Sequence, residues 1–194
     1  MEAGSDYGDV AVRNSGDFDA TGTGIALGVF GVALGTTTIT NTGHIAAQGI
    51  DYAVAATGVL GRSYDGDVSI RNRGDISATN AYGLARGVSA QGVRDLTVAN
   101  LGGGSIVATA TGIYGTAAGI SASFGYSVRV DNAGDIAASS QYGFAAGVLA
   151  SGYYVEVDNR GDIDAATTGS AGAADAIGIF AYAYYTADVS NSHD

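Results

Sequence analysis

Aspartate is the residue type whose spacing most suggests chemistry, because it recurs directly after a glycine at a regular interval. Carboxylates in a row are ligands that suit Ca²⁺, and a pair of carboxylates can hydrolyse a glycosidic bond. The densest pair is Asp65-Gly66-Asp67. The Gly-Gly-x-Gly-x-Asp repeat of calcium β-rolls is missing, so calcium binding is left open and solvated carboxylates are favoured. The recurring residues are Asp17, Asp75, Asp135 and Asp162.

Nucleophilic catalysis has little material in this sequence. The chain contains no cysteine and no lysine, and its two histidines are His44 and His193. The usual sets of nucleophile and base therefore cannot be assembled. No aspartate departs from the repeat, although catalytic residues normally do. The sequence predicts a protein that is not an enzyme and that needs no metal or cofactor; a polysaccharide-acting enzyme is kept as an alternative.

Tyrosine provides a second candidate site, because its ring has a flat apolar face and a polar tip that can hold a sugar or another protein. Plain cover for a corner of the fold is the alternative interpretation. One set lies five or six residues before a Gly-Val or Gly-Ile pair, and this possible interaction surface is Tyr52, Tyr82, Tyr114 and Tyr142. A second set lies six to eight residues before an asparagine: Tyr7, Tyr64, Tyr126, Tyr153 and Tyr185.

Asparagine marks the repeat that must position all of these residues. The stretch from Val68 to Ala78 alternates as a β-strand does, turns at Asn72, and alternates again; similar stretches begin at Val128 and Val155. Stacked units would align the asparagines in a structural ladder of hydrogen-bonded amides, with ligand binding as the alternative. The ladder is predicted at Asn14, Asn41, Asn72, Asn100, Asn132 and Asn159, and Asn191 opens a further unit.

Each unit contains three short strand patterns rather than helices, because β-branched residues fill the inward positions and helix caps are missing. One strand ends at the asparagine, one contains Ile-x-Ala (as at Ile76 and Ile136), and one contains Gly-Val or Gly-Ile. Such a unit cannot bury its apolar face alone, so units must stack. The glycine two residues after each asparagine, such as Gly43 or Gly74, is expected at positive φ.

The sequence therefore predicts an all-β fold, a right-handed parallel β-helix (β-solenoid) of about six coils. The intervals between asparagines give 27–32 residues per coil. A left-handed helix would need a hexapeptide period that this sequence lacks. Residues 1–194 are expected to form a single β-solenoid repeat domain, a fragment of a longer array.

The charge balance limits the partners. Nineteen acidic residues against eight basic ones give a net charge of −11, which disfavours nucleic acid and anionic membrane surfaces. Residues 20–50 and 96–128 contain no charged side chain, but Gly, Ser, Thr and Asn interrupt both and both follow the repeat. No membrane insertion is expected for them. Met1 to Gly4 lacks a basic n-region, so the protein is either cytosolic or has lost a signal peptide.

The repeated Val-x-[Val/Ile]-x-Asn-x-Gly-Asp-Ile-x-Ala, followed by Tyr-Gly-[Leu/Phe]-Ala-x-Gly-Val-x-Ala at Tyr82 to Ala90 and Tyr142 to Ala150, resembles the passenger regions of bacterial autotransporters. Those are secreted right-handed β-helices, generally adhesins or surface-displayed proteins, exported through a C-terminal outer-membrane β-barrel. The resemblance covers nearly the whole chain. It implies a secreted or cell-surface, outer-membrane-attached module of a Gram-negative bacterium.

The first functional hypothesis is thus an extracellular structural or adhesive module whose partner is a glycan or protein on a host or neighbouring cell. A second hypothesis is a filament subunit that self-associates through its coil ends, because stacked coils leave strand edges open. The polysaccharide-acting enzyme is the third.

Overall fold

The computed structural model describes residues 1–113, 115–169 and 175–192, and every regular element in them is a β-strand. The strands in chain order are β1 (Glu2–Ser5), β2 (Val10–Asn14), β3 (Phe18–Gly22), β4 (Ile25–Ala33), β5 (Thr37–Asn41), β6 (His44–Gly49), β7 (Ala55–Ser63), β8 (Val68–Asn72), β9 (Asp75–Asn80), β10 (Leu84–Gln91), β11 (Asp95–Asn100), β12 (Ser105–Ala110), β13 (Thr116–Asn132), β14 (Asp135–Ser140), β15 (Ala145–Asn159), β16 (Ile163–Thr167) and β17 (Ala176–Asn191).

These strands pair in parallel, each with its counterpart one coil along the chain. One sheet has the order β16-β14-β12-β9-β6-β3 and forms the isoleucine arm of each coil. The other contains the glycine-valine arm (β1, β4, β7, β10) and the asparagine arm (β2, β5, β8, β11), which meet in β13 and continue as β15 and β17. The chain is therefore the predicted right-handed parallel β-helix of about six coils, with the handedness that parallel crossovers adopt.

The register of the sheets keeps identical side chains above one another. Asn100 lies opposite Asn72 on one side and Asn132 on the other. In the isoleucine arm, Ile106 lies between Ile76 and Ile136 in the same way. Because side chains alternate between the two faces of a strand, this register directs one complete column of each arm into the interior.

The interior is a continuous stack of β-branched side chains and alanines. The predicted inward residues are buried in the middle coils, including Ile76 and Ile136. Burial of each large aliphatic side chain stabilises the fold by about 1.5–3 kcal/mol. At the outermost coils, Phe18 and Ile163 pack against the same core but stay partly exposed, because each has a single neighbouring coil in the described structure.

The repeat pattern predicts three separate strands in every coil, but the last coils differ from this prediction. In β13, β15 and β17 the glycine-valine and asparagine arms form one uninterrupted strand. The reason is local: earlier coils make the corner with a loop such as Tyr64 to Asp67, where the Ser63 hydroxyl accepts a 2.7 Å hydrogen bond from the Gly66 amide. The later coils make it with β-bulges, which bend a strand without ending it.

The expectation of positive φ at the corner glycines is wrong. Among the described glycines, positive φ occurs at Gly103 (86°). This glycine lies in the turn of the fourth coil, which is two residues longer than the turns of the other coils. Gly74 is required for a different reason: a Cβ there would press on the carbonyl oxygen of Gly43 and lie 2.8 Å from the carbonyl carbon of Thr42. The corner needs glycine because successive coils stack backbone on backbone.

Candidate functional site

The predicted asparagines lie inside the corner between the asparagine and isoleucine arms, and all six are buried. Each side-chain amide nitrogen donates to the side-chain oxygen of the next asparagine along the chain, at distances from 2.7 to 3.0 Å. All the bonds run in one direction, from Asn14 to Asn191. Aligned amide dipoles of this kind strengthen one another in a low-dielectric interior.

Each ladder amide also ties down the turn that follows it. Asn132 Nδ2 donates to the carbonyl oxygen of Gly134 at 2.9 Å, and Asn72 Nδ2 does the same to Gly74 at 2.8 Å. In the fourth coil the acceptor is Gly104, at 3.3 Å from Asn100 Nδ2, because of the two inserted residues. The side-chain amides of these asparagines are therefore hydrogen-bonded inside the protein and shielded from solvent. They stabilise the fold and do not face a partner.

The predicted tyrosine surface is only partly assembled. The rings of Tyr52 and Tyr82 lie 5.0 Å apart at an exposed corner. Tyr142 is half-buried, and its hydroxyl accepts a 3.3 Å hydrogen bond from the side chain of the adjacent Gln141. Tyr114 lies outside the described residues. Two of the four residues are thus brought together by the structure.

A larger aromatic cluster lies on the opposite side of the glycine-valine arm, where that arm runs into the asparagine arm in β13, β15 and β17. Its side chains are between 40% and 77% exposed although all are large and aromatic. We call this cluster the aromatic corner: Phe124, Tyr126, Tyr153, Tyr154, Tyr182, Tyr184 and Tyr185.

The rings of the aromatic corner contact one another from coil to coil. Tyr126 is 5.9 Å from Tyr153 and 5.4 Å from Tyr154 between ring centroids. Tyr154 stacks on Tyr185 at 5.4 Å, and Tyr184 meets Tyr185 edge to face at 4.8 Å. These are the separations at which aromatic pairs attract one another. Five of the seven rings thus form one connected series across successive coils, and Phe124 and Tyr182 line the same groove as three of them.

Two β-bulges build this corner. Ser123 pairs with Ser151 and Gly125 with Gly152, which leaves Phe124 unmatched in the neighbouring strand. Phe124 has a φ of 74° and is 77% exposed. A bulky residue in the left-handed region costs about 1–3 kcal/mol and persists only where the surroundings impose it.

The second bulge lies between β15 and β17. Gly152 pairs with Ala183 and Tyr154 with Thr186, so Tyr153 lies opposite two residues, Tyr184 and Tyr185. The extra residue on the longer strand doubles the number of rings at this point. A bulge here turns an ordinary alternating strand into a dense aromatic surface.

An open groove of about 670 Å³ runs through the corner. Its described lining comprises Phe124, Ser151, two glycines and the tyrosines 153, 182, 184 and 185. Tyrosine phenols are thus the sole ionisable groups in that lining. A second groove, of about 340 Å³, begins on the other side of Phe124 and includes Arg62 and Tyr64, whose guanidinium carbon and ring centroid are 4.9 Å apart.

Three charged side chains on the asparagine arm beyond the corner are paired with one another. Arg129 donates to Asp131 at 3.0 Å and to Glu156 at 2.9 Å. Hydrogen bonding to Asp131 and the charges of the neighbouring carboxylates raise the pKa of the Arg129 guanidinium. In the cluster itself, the Tyr126 phenol raises the pKa of the Tyr154 hydroxyl, first through hydrogen bonding and then through charge.

The aspartate column does not form a metal centre in the described residues, in which no group of three His, Asp or Glu side chains is close enough to hold an ion. Asp75 and Asp135 are exposed at the starts of β9 and β14. Asp65 forms an ion pair with Arg94 of the next coil, in which Arg94 Nη2 lies 3.0 Å from Asp65 Oδ1. The recurring carboxylates therefore lie on the outside of the rod, and one member of the Asp65-Gly66-Asp67 pair is engaged by arginine.

The sequence signal for the aromatic corner was present but incomplete. Tyr126, Tyr153 and Tyr185 belong to the second set of spaced tyrosines, whereas the predicted interaction surface is the first set. Tyr154 and Tyr184 extend that set as Tyr-Tyr doublets. Their side chains both remain outside because of the bulges, and simple alternation would place one of each pair inward.

Comparisons of the chain with protein-family models, with curated proteins and with solved structures gave no match. The described part of the chain also contains no helix of the length and apolar character needed to cross a membrane.

Proposed function

We propose that this chain is an extracellular structural and adhesive module in which the β-helix is a rigid support and the aromatic corner is the binding surface. One observation supports this above all: seven large aromatic side chains are exposed together on one corner. Burial in the core does not require them, and contiguous exposed apolar patches mark interaction sites. Tyrosine is also a residue type enriched where partners bind.

The proposed location is the surface of a Gram-negative bacterium, attached to the outer membrane. Support comes from the repeat style that resembles autotransporter passengers and from the net charge of −11, which suits a solvated rod. The proposed partner is a glycan or protein on a host or neighbouring cell. The function needs no catalysis, since a rigid column of coils and a fixed surface are sufficient for adhesion.

Cell binding tests this proposal. Fluorescently labelled chain would be incubated with bacterial and epithelial cells, and bound fluorescence would be measured by flow cytometry. Replacing two central rings together, Tyr153→Ser with Tyr185→Ser, is expected to reduce binding at least about tenfold, the effect of losing a central aromatic contact. The matched control is Tyr52→Ser with Tyr82→Ser, a second exposed ring pair on a different corner. Equal loss in both double variants would contradict the proposal.

A second candidate is self-association through coil ends, and the direction of the asparagine ladder favours it. Asn14 is the first described member and offers a side-chain oxygen, whereas Asn191 is the last and offers an amide N–H. Any coil joined at either end, of the same chain or of another, would meet a complementary group. Sedimentation velocity over a hundredfold concentration range tests this candidate; a rod that stays monomeric throughout would refute it.

A further inference from the structure

We infer that the aromatic corner binds an extended, uncharged glycan chain that runs along the axis of the rod. This inference depends on the proposed function, because it names the chemical class of the partner that the same surface would hold.

The charge of the site favours a neutral ligand. The described lining of the larger groove contains no carboxylate, guanidinium or imidazole. Outside that lining, Glu156 and Asp188 border Tyr154, and Glu156 is held by Arg129. An acidic glycan would find no cation in this groove, and the net charge of −11 on the chain would repel it.

The shape and spacing of the rings favour a sugar polymer. Each tyrosine offers an apolar face to the C–H side of a pyranose and a hydroxyl to its polar edge. Rings on successive coils recur at the strand spacing of about 4.8 Å, and in the groove the Tyr153 ring of β15 lies 5.8 Å from the Tyr184 ring and 5.9 Å from the Tyr185 ring of β17. This repeat is close to the length of one pyranose residue in an extended chain, so successive sugars would meet successive rings.

The form of the corner distinguishes a glycan from a protein partner. A stable protein interface buries about 800 Å² on each side and usually needs a broad surface. Here the exposed rings form a band that spans three successive strands and is flanked by charged side chains: Asp95 beside Tyr126, and Glu156 and Asp188 beside Tyr154. A linear ligand can follow such a band, whereas a globular partner would contact little else.

Phe124 provides an independent indication. Its ring is 77% exposed and its backbone is at a φ of 74°, although the neighbouring strands continue in register on both sides of the bulge. The ring borders both the larger groove and the smaller one. Strained residues of this kind cluster at ligand sites. We assign Phe124 to the end of the glycan path, where its ring separates the larger groove from the smaller one that contains Arg62.

Affinity electrophoresis tests the inference with defined probes. The chain would be run through native gels that contain a linear β-glucan, a β-mannan or a β-galactan, with a polyuronate gel as the acidic comparison. We expect retardation by at least one neutral polysaccharide and none by the polyuronate. Because the chain has no tryptophan, quenching or enhancement of tyrosine emission by oligosaccharides of the retarding polymer should report the same binding in solution.

The variants make the test specific. Tyr153→Ser with Tyr185→Ser is expected to lower the association constant at least about tenfold, while Tyr52→Ser with Tyr82→Ser should leave it within about twofold. Thermal unfolding by circular dichroism would verify that both double variants are folded, as expected for exposed side chains.

Three results would overturn the glycan inference: no retardation by any of the neutral polymers, stronger retardation by the polyuronate, or equal loss in the two double variants. If the neutral polymers fail but cell binding still depends on Tyr153 and Tyr185, the adhesive function stands and the partner is a protein. If cell binding also does not depend on Tyr153 and Tyr185, the proposed function itself is wrong.

Discussion

The side-chain amide of Asn72 donates a 3.0 Å hydrogen bond to the side-chain oxygen of Asn100, which follows it by 28 residues in sequence and one coil in space. Asn100 passes the bond on to Asn132 at 2.9 Å. Both partners of each bond are buried. These amides thus stabilise the interior of the corner. Removing one of them would leave hydrogen-bonding groups of the two neighbouring asparagines without a partner.

We predict that Asn100→Ala destabilises the fold by about 3 kcal/mol, because the amide nitrogen of Asn72 and the side-chain oxygen of Asn132 would each lose a partner in the interior. Equilibrium unfolding in urea would measure the change in free energy. Asn14→Ala is the matched control: it removes one ladder bond at the edge of the described ladder and should cost about 1 kcal/mol. Equal costs at the two positions would refute a cooperative ladder.

A second prediction tests the register of the isoleucine arm. Ile106 and Val107 are neighbours in β12, but Ile106 is 0% exposed and Val107 is 37% exposed. Ile106→Asp would bury an unpaired carboxylate at a cost of several kcal/mol, which is comparable with the whole stability of a domain. We expect loss of the folded circular dichroism spectrum.

Val107→Asp places the same charge on the outer face of the same strand. It should leave the protein folded with a loss of about 1 kcal/mol from poor β propensity. A folded Ile106→Asp variant, or an unfolded Val107→Asp variant, would show that the inward and outward faces are assigned the wrong way round.

A third prediction concerns the glycine column of the glycine-valine arm. A Cβ on Gly119 would press on Ile136 Cγ2 and lie 2.6 Å from the carbonyl oxygen of Gly147, whereas a Cβ on Gly178 meets nothing within 4 Å. Gly119→Ala should therefore destabilise by about 1–3 kcal/mol, as overpacked interiors do. Gly178→Ala should be neutral in the same thermal unfolding experiment. Comparable losses at the two positions would contradict the predicted close approach between coils.

A fourth prediction follows from the Tyr126–Tyr154 contact. The raised pKa of Tyr154 means that folding favours its neutral phenol. This contribution to stability is fully present below the ordinary tyrosine value of about 10 and disappears as the pH rises through the raised pKa. Tyr126→Phe should lower the pKa of Tyr154, as measured by ¹³C NMR of labelled tyrosine Cζ atoms. Tyr52→Phe, on another corner, is the control and should not change it; an unchanged value in Tyr126→Phe would refute the coupling.

The sequence contains the fold almost completely, because the same short strands recur in register. Val68, Ile70 and Asn72 occupy every second position of their strand, and the same positions carry similar residues in the other coils. A single register of stacking therefore buries all the apolar side chains. The asparagine ladder follows from the same register. These features depend on periodicity, which a single sequence displays directly.

The aromatic corner was harder to predict because it depends on departures from the period. From Gly119 to Asn132 the sequence advances 13 residues, from Gly147 to Asn159 it advances 12, and from Gly178 to Asn191 it advances 13. Those single-residue differences correspond to the bulges at Phe124 and beside Tyr153. Bulges exchange inward and outward positions locally, so spacing alone does not show which rings are exposed.

Hydroxyl-radical footprinting tests the central claim, that binding occurs at the aromatic corner, most directly. The chain would be oxidised free in solution and while bound to cells, and the modified tyrosines would be quantified by mass spectrometry. We predict protection of Tyr153, Tyr184 and Tyr185, with Tyr52 and Tyr82 oxidised equally in both states. Protection confined to Tyr52 and Tyr82, or no protection at the corner of a bound chain, would contradict this account.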